Sequence, residues 1–196
     1  EHKQEAVALR GLLDRGGWLD IHRAVEMSDQ IASALDYAHS AGVLHLNLQP
    51  KNVLVEPDGW VSVKGFGLEA TERMAWAYQD RALTAAAPYM SVEQATGAKV
   101  NHRSDLYSLG AILYELLTDR VPFDSDDAGY VRQRQMTDAP APPHLISANV
   151  PEEVSKVVMR LLEKNPDDRF DSAAAFQAAL DGALNTDLRR TVRLDR

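Results

Sequence analysis

The run Ser104-Asp105-Leu106-Tyr107-Ser108-Leu109-Gly110-Ala111-Ile112-Leu113-Tyr114-Glu115-Leu116-Leu117 constrains this chain more than any other. Its apolar residues do not keep to one stripe of a 3.6-residue period but go nearly all the way round. That is the pattern of a helix buried at the centre of a domain. Such a helix must be enclosed by the rest of the chain, and 196 residues with 45% apolar content suffice for one core.

The enclosing elements can be read in order. Residues 6–18 carry a short helical pattern (Val7, Leu9, Leu12, Leu13). A second helix runs from an N-cap at Asp20 to about His39, with Met27, Ile31, Ala34, Leu35 and Ala38 on one face and Gly42 as its stop. Val43-Leu44, Val53 to Val55 and Trp60 to Lys64 read as short strands, and Asp58-Gly59 is a hairpin turn. A polar helix is expected near 128–136, then a Pro-rich link at 139–143. Pro151 starts another helix, with Glu152 and Glu153 in its first turn, which runs to about Glu163. A last Ala-rich helix ends near Leu184, and 187–196 reads as an Arg-rich solvated tail. The predicted fold class is mainly α with a small β-hairpin sheet.

Composition narrows the function. With 21 Lys+Arg against 29 Asp+Glu the net charge is −8, which argues against binding nucleic acid or an anionic membrane surface. No apolar run approaches the ~20 residues of a membrane span. The absence of Cys removes disulfides and thiolate metal sites and suits a reducing, cytoplasmic setting. The six His lack metal-site spacing, and Asp124, Asp126 and Asp127 read as a solvated loop. The opening Glu1-His2-Lys3 lacks an initiator Met, so the sequence reads as a piece of something longer.

Several linked landmarks then appear. His45-Leu46-Asn47-Leu48-Gln49-Pro50-Lys51-Asn52 follows the long helix, and 13 residues beyond Asn52 comes Gly65-Phe66-Gly67. Tyr89-Met90-Ser91-Val92-Glu93-Gln94, the central helix from Ser104-Asp105, and Asn165-Pro166 through Arg169 complete the series. In this order the chain resembles the C-terminal lobe of a protein kinase, most like the bacterial Ser/Thr kinases, over about residues 6–184. Gly65 to Ala70 also matches the G-x-G-x-x-A of dinucleotide folds, but no βαβ succession surrounds it.

The resemblance assigns roles and exposes departures. Asn47 stands where the family has the catalytic-loop Asp, and an amide cannot serve as a general base. Gln49 stands for the phosphate-steadying Lys, Gly65 for the metal-holding Asp, Leu46 for the loop Arg and Ala86 for the Thr facing the substrate. Asn52 is retained. Leu54 matches the residue beneath the adenine. Glu93 and Arg169 match a buried ion pair, Asp105 the carboxylate that holds the catalytic-loop amides, and His45 with Phe66 a hydrophobic column.

No Gly-rich loop or V-A-I-K-like strand precedes residue 45, so the resemblance implies a C-lobe (residues 1–186, tail 187–196) without its N-lobe. From these substitutions the sequence predicts a pseudokinase, not an enzyme, that regulates or binds proteins. No cofactor is expected, and ATP binding is expected to be weak or absent. Its expected partners are a kinase or a phosphopeptide-binding domain, without nucleic acid or membrane, through a surface around Tyr130 to Met136. Dimerisation through the face an N-lobe would cover is a further expectation. The alternatives are residual Ser/Thr kinase activity with an N-lobe from outside this chain, and a metal-independent nucleotide-binding switch. Arg189-Arg190-Thr191-Val192 resembles a basophilic phosphorylation site.

Overall fold

The computed structural model describes residues 5–16, 19–67 and 85–194, with side chains to 186. Strand β1 (Val7–Ala8) leads into α1 (Leu9–Leu13), and α2 spans Ile21–Ser40. A 3₁₀ turn at Pro50–Asn52 precedes β2 (Val53–Val55) and β3 (Val61–Val63). Another at Ala87–Tyr89 precedes α3 (Val92–Thr96) and α4 (His102–Thr118). Then come α5 (Ala128–Thr137), α6 (Pro143–Ile146), α7 (Glu152–Leu161), a 3₁₀ turn at Pro166–Asp168 and α8 (Ala173–Leu194).

The fold is mainly helical with one small antiparallel sheet, as the sequence implied, but the sheet has three strands in the order β1-β2-β3. Val7 and Ala8 pair with Val55 and Leu54, so the first apolar residues of the 6–18 segment are strand and only 9–13 are helix. Val43-Leu44 forms no strand. Pro143, expected in an open link, starts the helical turn α6. The last helix runs to Leu194, ten residues past its expected end near Leu184, because Gly182 is accommodated inside it and no Pro follows. Leu68 to Ala70 of the dinucleotide-like match, and the side chains of Arg189 to Val192, lie outside the described residues.

The central helix is enclosed as its sequence demands. From Ser104 to Thr118 every residue of α4 is buried. It starts two residues before Ser104, because Asn101 caps it: Asn101 Oδ1 accepts from the Arg103 amide at 2.8 Å, and Ser104 Oγ accepts from the Asn101 amide at 3.3 Å. Helices α2 and α7 pack on it and α8 closes over both, so Met27, Ile31, Leu35, Val158, Leu161 and Phe176 share one core with it. The contact between α4 and α7 is close enough to require glycine at position 110. A Cβ there would lie 2.6 Å from Leu161 Cβ, an atom fixed to the backbone that cannot swing away. Gly110→Ala is therefore expected to cost ~1–3 kcal/mol, read as a lower urea midpoint at unchanged slope.

A titrating group lies beside the small cluster of Ala87, Phe123 and Val131. Lys164 Nζ sits 4.8 Å from the Phe123 ring centre and has no hydrogen-bond partner among the described residues. Burial pushes its pKa down from 10.5 to about 8, against the pull of Asp138 and Glu163. Between those two values the unfolded chain still holds a proton that the folded chain has released. Stability should therefore rise with pH from about 8 towards 10. Urea midpoints across that range should show the rise in the wild type and a smaller one in Lys164→Met.

Candidate functional site

The segment 45–52 is an irregular loop held from beneath by α4. Asp105, fully buried four residues into that helix, accepts hydrogen bonds from the His45 amide (Oδ2, 2.9 Å) and the Leu46 amide (Oδ1, 2.7 Å). His39 Nε2, at the end of α2, lies 2.8 Å from the same Oδ2. One carboxylate thus satisfies two backbone amides that no helix or sheet could reach. With its peptide held there, Leu46 adopts φ +56°, one of two non-glycine residues with positive φ among those described.

His45 is fully buried and stacks edge-on against Phe66 with ring centres 4.8 Å apart. Its Nδ1 accepts from the Asn47 amide at 3.2 Å while Nε2 donates to the Lys64 carbonyl at 3.1 Å. This tautomer ties the loop to the end of β3.

Asn47 and Gln49 face one another across the loop. Gln49, only 3% exposed, donates from Nε2 to Asn47 Oδ1 at 2.5 Å. Asn52 Nδ2 donates to the Asn47 carbonyl at 2.8 Å, closing the turn. The structure therefore brings Asn47, Gln49 and Asn52 into one constellation, carried into the sheet by Asn52, whose carbonyl accepts from the Lys64 amide. Gly65, at φ +94°, follows Lys64 and presents no side chain to this cluster. Leu54 lies on the face of β2 opposite Val53 and Val55, which point into the core. It is half-buried.

Kinases carry magnesium with their nucleotide, and the donor set can be compared with that need. Asn52 offers one amide oxygen and Gly65 none. Among the described residues no group of three or more His, Asp or Glu could hold a metal ion. These residues alone do not fit a magnesium site.

The start of α3 is tied to the loop after α7 by the pair the sequence singled out. Glu93 receives Arg169 Nη1 at 2.8 Å and Nη2 at 2.9 Å, both residues being almost fully buried. Burial would raise the Glu93 carboxyl, but hydrogen bonds from Arg169 and Ser104 outweigh it and hold the pKa below its ordinary value. Arg169 also donates to the carbonyls of Glu163, Arg103 and Lys164, and its guanidinium lies over the Tyr107 ring.

Sequence reasoning missed a second buried network. Tyr89 donates to Glu115 Oε2 at 2.5 Å, and Arg10 donates to Glu115 Oε1 at 2.9 Å and to the Tyr89 oxygen at 3.1 Å. Burial and the Glu115 charge push the Tyr89 phenol well above its ordinary range. The available signal was Glu115 itself, an acid inside an otherwise apolar helix.

Residues 3–180 match the protein kinase domain family. A serine/threonine-protein kinase of Myxococcus xanthus is 38% identical over 192 residues, 93% of this chain and 35% of that protein. The serine/threonine-protein kinase PknB of Mycolicibacterium smegmatis is 35% identical over 178 residues, 90% of this chain and 28% of its own length. A probable serine/threonine-protein kinase of Clostridium acetobutylicum is 32% identical over 177 residues, 90% of this chain and 27% of that protein. The chain spans about a quarter to a third of the length of these relatives. They overturn one expectation. Asn47, Gln49 and Gly65 were read as marks of a protein that is not an enzyme, whereas relatives named as kinases at 32–38% identity over most of the chain point to an enzyme. Among the described residues no helix is long and apolar enough to cross a membrane.

Proposed function

The chain belongs to the protein kinase family, and from that premise we propose that it carries the acceptor-side part of a domain that transfers the γ-phosphoryl group of ATP to Ser or Thr hydroxyls of proteins. The observation that carries this reading is Asp105, whose carboxylate holds the His45 and Leu46 amides and so fixes the loop 45–52. Phosphoryl transfer depends mainly on positioning and on electrostatics, with little covalent work for side chains to do. A loop held this firmly supplies the positioning.

The roles follow from what each group can donate or accept. Asn47 orients the acceptor hydroxyl by hydrogen bonding but does not ionise, so as the new O–P bond forms and the bond to the departing ADP oxygen breaks, the hydroxyl proton passes to a phosphoryl oxygen or to water. Gln49 fixes the Asn47 amide, and Asn52 fixes its backbone. ATP is a substrate bound weakly, with Leu54 against its base. The rest of the nucleotide clamp comes from residues other than these. The protein partner is the acceptor, meeting α5 where Tyr130 and Met136 are exposed.

The test is transfer of label from γ-labelled ATP to a Ser/Thr peptide mixture by the full-length protein. Time-linear labelling that is reduced in Asn52→Ala supports the reading. Labelling no faster than a buffer control overturns it.

A further inference from the structure

We infer that Gln94 is a positioning residue that couples the capped start of α3 to the strained peptide of the loop 45–52. Naming that loop as the reacting one rests on the function proposed above; the coupling itself does not.

Leu46 lies in the left-handed region, which an L residue occupies only when its surroundings hold it there. Two hydrogen bonds do so from opposite sides. Asp105 Oδ1 accepts from the Leu46 amide at 2.7 Å, and Gln94 Nε2 donates to the Leu46 carbonyl at 2.8 Å. The other end of the same Gln94 amide is also engaged, since Oε1 accepts from the Ser91 amide at 3.0 Å. Ser91 Oγ accepts from the Gln94 amide in return, completing a capping box.

A capping box is satisfied by either Glu or Gln at this position. Glu would supply the acceptor for Ser91 and nothing for Leu46. Gln alone of the two offers both ends, so the residue type reports a second task beyond capping. The Ser91 end is itself anchored upstream, because Gln135 Nε2 donates to the Ala87 carbonyl at 2.6 Å and Ser108 Oγ to the Tyr89 carbonyl at 2.7 Å. A displacement of segment 87–91 is thereby transmitted through one rigid planar amide to the residue preceding Asn47.

Two substitutions separate the two ends. Gln94→Glu keeps the capping acceptor and loses the donor; Gln94→Lys keeps a donor and loses the acceptor. Amide hydrogen exchange on this chain, read by NMR at Leu46, Asn47 and Ser91, distinguishes them. In Gln94→Glu, exchange at Leu46 and Asn47 should rise about tenfold with Ser91 unchanged, the loss expected for one hydrogen bond. In Gln94→Lys the rise should fall on Ser91, with Leu46 and Asn47 retained. Unchanged exchange at Leu46 and Asn47 in the Glu variant, or equal rises at all three sites in both, overturns the inference. Should either variant fail to fold, Gln94→Met, which lacks both ends, must raise exchange at both places, and protection at either overturns it equally. Phosphoryl transfer by the wild type is measured separately: no transfer with the exchange pattern intact would remove the proposed function and leave the coupling standing.

Discussion

Arg169→Ala should destabilise the fold by ~3–5 kcal/mol, the cost of leaving a buried charge without its partner. For a chain of this length that is a fall in Tm of roughly 6–20 °C. The loss is large because Arg169 does more than pair with Glu93. Its guanidinium also satisfies the carbonyls of Arg103, at the start of α4, and of Glu163 and Lys164, in the loop after α7. Glu93→Ala should cost less than Arg169→Ala, since the guanidinium keeps those carbonyls when the carboxylate goes. Replacing both by apolar residues should recover only part of the loss, because the carbonyls stay unmatched. Thermal melts of the two single variants and the double variant check the order. A double variant as stable as the wild type would mean that the carbonyl contacts contribute nothing.

On the function proposed above, Asn47→Asp should raise the rate of phosphoryl transfer by about 10²–10⁴-fold, the usual worth of a positioned general base. The geometry to receive it already exists. Gln49 Nε2, now 2.5 Å from Asn47 Oδ1, would donate equally well to a carboxylate oxygen, and Asn52 would still hold the backbone carbonyl. The change is one of ionisation with little change of shape, so kcat should move and stability should not. Steady-state kinetics beside a thermal melt checks this. An unchanged kcat would mean that proton removal does not limit the reaction and that nucleotide placement does.

What could be read from sequence and what could not divide along physical lines. The central helix was legible because apolar residues on every side leave it no exposed position, and each of its residues from Ser104 on is buried. Its first turn was misplaced by two residues because the cap is Asn101 rather than the more conspicuous Ser104-Asp105. β1 was misread because two residues make a strand only by pairing with Val55 and Leu54, nearly fifty positions away, and local pattern carries no trace of that. His45, Phe66, Glu93, Asp105 and Arg169 were named by resemblance, and the structure places His45 against Phe66 and Asp105, and Glu93 against Arg169. The amide pair of Asn47 and Gln49 was visible as two substitutions but not as one hydrogen bond. Their mutual contact depends on a loop shape that Asp105 imposes from sixty residues downstream. The same limit hid the network of Arg10, Tyr89 and Glu115, whose members come from three separate elements.

The packing of α8 against α2 also decides when this chain can fold during synthesis. Gln177 Nε2 donates to Asp29 Oδ1 at 2.7 Å and to Ser33 Oγ at 3.0 Å, joining positions 148 and 144 residues apart. At roughly 5–20 residues per second a ribosome needs roughly 7–30 seconds to pass from one helix to the other. For that interval α2 can pack on α4 but the side of it that meets α8 has no final partner, and the core must wait for a late, non-local closure. The nascent chain is thus exposed to wrong association longest at α2, the helix whose far end delivers His39 to Asp105.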